Sequence, residues 1–133
     1  MQINYLAVVV AAVAGFLLGW GWYAAFGKVW MAELGKSMEE CKDQKPSPAP
    51  FIIAAVACLV MAYMLAGLMG HIDQVSVRGG AISGFFVWFG FVLTTVATNH
   101  AFEGMKPVVT AIDAGHWLAV LVLMGAIIGA FGG

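Results

Sequence analysis

The run TNHAFEGMKPVVTAIDAGHW, residues 98–117, gathers more chemically capable side chains than any other stretch of this chain. Asp113 and His116 stand three residues apart, which puts them on one face of a helix. With His100 they make a His, His, Asp set, enough for a divalent metal with open coordination positions. Glu103 is available as a base or a further ligand. Asn99, His100, Glu103, Asp113 and His116 are therefore the candidate polar cluster. Their spacing matches no specific metal or hydrolase motif, so no metal, cofactor or catalytic residue is assigned from it.

The same residues also read as two helix ends meeting at a turn. Thr110 and Asp113 have capping-box spacing, with Asp in place of Glu or Gln, and an Asp near a helix start suits the helix dipole. Asn99 and His100 can bond the last free carbonyls of the preceding helix. Gly104 and Pro107 predict the turn itself. This reading accounts for more of the residues than a metal site does. A second candidate set, Ser83, Thr94, Thr95 and Thr98, could line a passive pore, although such hydroxyls also bond their own helix carbonyls.

The elements that would position these groups follow from composition. Of 133 residues, 62% are hydrophobic and only 10% charged, and the mean hydropathy is +0.94. A soluble domain carries about a quarter charged residues, so this chain cannot cover a water-facing surface and needs lipid as its solvent. A net charge of −1 excludes the basic footprint that nucleic acid requires. Four uncharged apolar runs, 5–27, 51–70, 79–98 and 114–133, each meet the roughly 20 residues a helix needs to cross a bilayer. All Lys, Arg, Asp and Glu lie between or before them. MQIN has no basic residue and no small-residue cleavage site follows, so the first run is read as a span and not as a signal peptide.

Lys28, Lys36, Lys42, Lys45 and Lys106 fall on one side of such a topology and Arg78 on the other. The positive-inside rule then makes loops 28–50 and 99–113 cytoplasmic and both termini external. In loop 28–50, Trp30, Leu34 and Met38 recur at helical spacing with charges elsewhere, which predicts a short interfacial amphipathic helix continuous with the first span. Pro46, Pro48 and Pro50 predict an extended joint after it. Cys41 and Cys58 fall at different depths and are expected as free thiols. Trp20, Trp22, Tyr23, Trp30 and Trp117 map near the headgroups as a belt, whereas Trp88 sits mid-span and needs an acceptor on another helix.

Paired glycines mark close helix approach: Gly15 with Gly19, Gly80 with Gly84, Gly125 with Gly129, and Gly129 with Gly133. Their contacts could lie within one chain or between copies in a homo-oligomer. No span holds Asp, Glu, Lys or Arg, which counts against proton-coupled transport, where such a group is kept for function despite its cost.

NYLAVVVAAVAGFLLGWGWYAAFGKVWMAELG and FVWFGFVLTTVATNHAFEGMKPVVTAIDAGHWLAVLVLMGAIIGAF together resemble the bacterial membrane proteins grouped as domain of unknown function 1761. The resemblance implies a four-span protein of the bacterial cytoplasmic membrane and brings no reaction, substrate or cofactor. Asn4, Lys28, Asn99, Glu103 and Asp113 are the most family-like polar positions. His116 stands where the pattern carries an aromatic.

The expected object is an all-α, four-transmembrane-helix bundle with a short interfacial amphipathic helix after the first span. Its expected partners are membrane lipid and a second copy of itself. The leading functional expectation is a non-enzymatic scaffold or interaction protein. A passive channel or carrier for a small solute or ion is second, and a metal-dependent membrane enzyme third.

Overall fold

The computed structural model describes residues 3–34 and 47–132. Four helices follow one another: α1 Tyr5–Glu33, α2 Ala49–His71, α3 Val77–Glu103 and α4 Pro107–Ala130. Each is long and apolar enough to cross a membrane, and no strand occurs among the described residues. Lys36, Met38, Glu39 and Glu40 of the expected amphipathic helix lie outside the described residues, as do Cys41, Pro46 and Gly133.

Local chemistry sets the helix ends. The Asn4 side chain accepts from the Ala7 N–H at 3.1 Å and starts α1. The Ser76 hydroxyl accepts from Gly79 N–H at 2.8 Å and starts α3. Gly104 closes α3 in the left-handed region at φ 73°, a conformation that glycine adopts without a Cβ penalty.

Helix α1 runs unbroken to Glu33, as expected of a helix continuous with the first span, whereas two other expectations change at the helix ends. Helix α4 begins at Pro107, seven residues ahead of the expected 114, because proline at the first position forfeits an N–H that would have no partner anyway. Thr110 and Asp113 are consequently inside the helix and form no capping box; the N-cap is Lys106, without a side-chain cap bond. Helix α3 reaches Glu103, which places Asn99 within the helix and His100 in its last turn, where the His100 ring meets Asp113 and Thr110 and not a helix-end carbonyl.

Helix α4 is the hub, packed against α3 and α1, while α2 leans chiefly on α1. Met69, Val109, Val120, Leu121 and Met124 are the largest fully buried side chains. The α3–α4 contact is made backbone to backbone. A β-carbon at Gly80 would collide with the Gly125 carbonyl, one at Gly84 with the Leu121 carbonyl, and one at Gly129 with the Ser76 carbonyl. On α1, Gly15 faces Val120 and Met124, and Gly19 faces His116. These glycine contacts lie within the chain.

Outside this seam the helices present large apolar side chains outward, among them Phe86, Phe91 and Trp20. In water such a surface would aggregate; it suits a hydrocarbon solvent. Helix α3 also contains a π-helical segment, Trp88–Leu93. The Thr94 and Thr95 hydroxyls donate back to carbonyls of this segment, Gly90 O at 3.0 Å and Phe91 O at 2.5 Å.

Candidate functional site

The polar end of the bundle is one connected network. The Tyr23 hydroxyl of α1 donates to Asp113 Oδ1 at 2.5 Å. Asp113 Oδ2 lies 3.4 Å from His100 Nε2, and His100 Nδ1 lies 2.8 Å from the Thr110 hydroxyl. With a proton on Nε2, His100 donates to the carboxylate and accepts from Thr110, so every member is satisfied. Trp22 Nε1 donates to Ile112 O at 3.1 Å, and mid-span Trp88 Nε1 donates to Ala114 O at 2.7 Å. Trp88 thus finds the interhelical acceptor its position demanded. Lys106 Nζ pairs with Glu33 Oε2 at 3.3 Å, tying the α3–α4 turn to the end of α1. Three helices are held together here by side chains whose hydrogen-bonding capacity is largely used.

His116 differs. It is 9% exposed, and its fully buried Nδ1 has no hydrogen-bond partner among the described residues. Tyr23 and Trp117 flank its ring at centroid distances of 5.1 and 4.5 Å. Its Nε2 abuts the place where Gly19 lacks a side chain: a β-carbon there would stand 2.6 Å away. Glycine at 19 is what makes room for the imidazole.

Gly19, Tyr23 and His116 all line a groove of about 510 Å³ between α1 and α2, floored by α4. Phe16, Trp20, Trp30, Phe51, Cys58 and Trp117 supply much of the remaining wall. Among the described residues, no Asp, Glu, Lys or Arg contributes to it. Trp30 Nε1 is also buried without a partner among the described residues, and Tyr23 stacks edge-on to Trp30 at 5.7 Å. The groove is open along one side, where Trp20 and Phe51 are 70% and 61% exposed.

The structure brings some sequence candidates together and separates others. His100 and Asp113 are in contact. His116 joins them only through the Tyr23 ring, and it faces the groove. Glu103 and Asn99 are on the exposed surface. Among the described residues, no three His, Cys, Asp or Glu side chains are grouped closely enough to hold a metal. Ser83 is buried and lines a separate groove with Leu68 and Phe86. Thr94, Thr95 and Thr98 are exposed, each hydroxyl donating to a carbonyl four residues back.

Tyr23, Trp22 and Gly19 are the site residues that sequence reasoning missed. The two aromatics fit an interfacial belt, and nothing in α1 signals a partner 90 residues away. The paired glycines at 15 and 19 did mark the correct face, without showing that an imidazole fills it.

Fold and site together define an all-helical protein with four membrane-type helices and, at one end, a groove open along one side. The chain belongs to the family described as Protein of unknown function (DUF1761), whose model matches residues 6–129. No curated protein and no solved structure matches it.

Proposed function

We propose that this chain is a non-enzymatic binding protein of the bacterial cytoplasmic membrane that retains an apolar small molecule in the groove between α1 and α2. The observation that carries the reading is His116, nine-tenths buried in the groove wall, whose buried Nδ1 has no partner among the described residues. An unmet buried polar group costs about 1–3 kcal/mol, and native proteins seldom leave one without a reason. A ligand that supplies the missing bond removes that cost on binding. The groove also has the size, apolar lining and few polar handles of ligand sites generally.

The interaction role expected from composition therefore takes the form of ligand retention. A metal-dependent reaction is less well supported, because Asp113 is engaged on both oxygens and Glu103 stands apart. Passive permeation is less well supported because the threonine hydroxyls turn back onto α3. Under the positive-inside rule the groove and the polar network would sit at the cytoplasmic end, with both termini external.

The test uses the full chain in phosphatidylcholine nanodiscs, titrated with 1-pyrenyldecane, whose pyrene accepts excitation from tryptophan. Ligand retention predicts a saturable component above bulk partitioning. Filling the groove with Ala54→Phe removes that component. Transfer that rises linearly and identically in both proteins would sink the reading.

A further inference from the structure

The groove's polar handles restrict what can occupy it. We infer that it takes an uncharged, planar ring bearing carbonyl oxygens and an apolar tail, the chemistry of a membrane quinone, with His116 and Trp30 donating hydrogen bonds to those oxygens. This inference rests on the ligand-binding reading above and names the class of ligand.

Four observations converge on that class. First, among the described residues no ionisable acid, lysine or arginine lines the groove. A charged headgroup would lose its hydration there and gain no counter-ion from those walls, which favours a neutral occupant. A phospholipid phosphate would meet no cation among the described lining residues.

Second, the buried indole nitrogen of Trp30 can only donate. Its partner must therefore present an acceptor. A neutral imidazole carries one N–H, so His116 adds a second donor to the same groove. Buried N–H groups are the polar groups least often left unpaired, and two in one cavity call for a molecule with more than one acceptor oxygen.

Third, the space between these donors is aromatic. The Tyr23 ring stands 5.1 Å from His116 and 5.7 Å from Trp30, and its own hydroxyl is already committed to Asp113. Tyr23 thus offers a ring face and no further donor. Phe16, Phe51 and Trp117 extend that wall. A flat conjugated ring gains more from offset and edge contacts with such a wall than a branched aliphatic head does.

Fourth, the groove is open on the side marked by exposed Trp20 and Phe51. Both belong to spans one and two, so an apolar tail leaving there would pass into the hydrocarbon. Gly19 is a requirement of this arrangement: any larger residue would displace His116.

The experiment is quenching of tryptophan fluorescence by decylubiquinone, with the full chain in phosphatidylcholine nanodiscs, in competition with decylbenzene. Decylubiquinone should show a saturable component, and decylbenzene, lacking carbonyls, should displace it poorly. In His116→Phe the half-saturating quinone content should rise by about tenfold, the equivalent of one lost neutral hydrogen bond. His116→Gln keeps a donor and should restore most of the binding, which a purely structural role for the ring would not predict. Trp30→Phe should weaken binding in the same direction and stands in if His116→Phe fails to fold. Equal displacement by decylbenzene would overturn the carbonyl assignment while leaving an apolar ligand groove intact. Absence of any saturable component for either compound would overturn both. Saturation of the groove by phosphatidylcholine itself would show as no quinone response in lipid but a response in dodecylmaltoside, and would overturn the ring assignment in favour of lipid.

Discussion

Alanine at Gly80 and alanine at Gly21 should change stability in opposite directions, although both replace glycine within a membrane-type helix. At Gly80 an added β-carbon meets the Gly125 carbonyl and lies 2.9 Å from Met69 Cε, inside the 3.0 Å that real β-carbons keep. The carbonyl belongs to a helical backbone and cannot rotate away, so α3 and α4 must separate. A gap of 0.5–1 Å forfeits about a quarter to a half of each ~0.1–0.2 kcal/mol dispersion contact, and lipid offers no hydrophobic effect to compensate. Over the roughly 20–30 atom pairs of one helical turn that is about 1–2 kcal/mol, within the usual ~1–3 kcal/mol for overpacking. At Gly21 a β-carbon meets nothing within 4 Å, so alanine contributes only its helix preference, about 0.5–1 kcal/mol in favour of folding. The two variants should therefore differ by about 1.5–3 kcal/mol in reversible unfolding from mixed micelles with rising dodecyl sulfate, followed by tryptophan fluorescence. Gly125→Ala faces Gly80 from the other side. The double variant should thus cost clearly less than the sum of the singles, because the first substitution has already opened the seam. If Gly80→Ala proved as stable as Gly21→Ala within about 0.5 kcal/mol, the backbone seam would not be what holds α3 to α4.

Other consequences follow from the polar end. Asp113→Ala leaves both the Tyr23 hydroxyl and His100 without their shared partner, so it should cost about 1–3 kcal/mol in the same unfolding assay. Lys106→Ala breaks a pair whose lysine side chain is 65% exposed and should cost under about 1 kcal/mol, less still in high salt. Trp88→Phe keeps the ring and deletes the donor to Ala114 O; a loss of about 1 kcal/mol is expected, and no loss would mean the bond has no net value in lipid. Cys58 is buried in the groove wall. With Cys41 replaced by serine, Cys58 should react slowly with N-ethylmaleimide in nanodiscs, and decylubiquinone should slow it further in a mass-spectrometric time course.

Much of this protein was legible because lipid imposes simple rules. Four uncharged runs of the right length, with every charge between them, leave helices as the only spanning structure, since each backbone group must be satisfied within its own segment. Trp88 illustrates how far this reaches: an indole at mid-span has no water to bond, so an acceptor on another helix was required, and Ala114 O provides it. The glycine pairs likewise pointed to faces of close approach that the fold uses. Helix ends were less legible. Charge and polarity mark where a span meets the headgroups, whereas helical hydrogen bonding continues past that boundary through His100 and begins at Pro107.

The candidate site divides along the same line. His100, Asp113 and His116 stand out by residue type alone, so the sequence nominated them, but type and spacing along one segment say nothing about which groups face each other. The fold turned two of them into a closed network with Thr110 and Tyr23, and it turned the third towards Gly19 and the groove. Composition and the length of the apolar runs by themselves determined a four-helix membrane-type bundle, because those properties act through the solvent and need no partner. Whether a histidine is bonded or bare depends on an α1 tyrosine and glycine more than 90 positions away, and only tertiary packing brings those into reach.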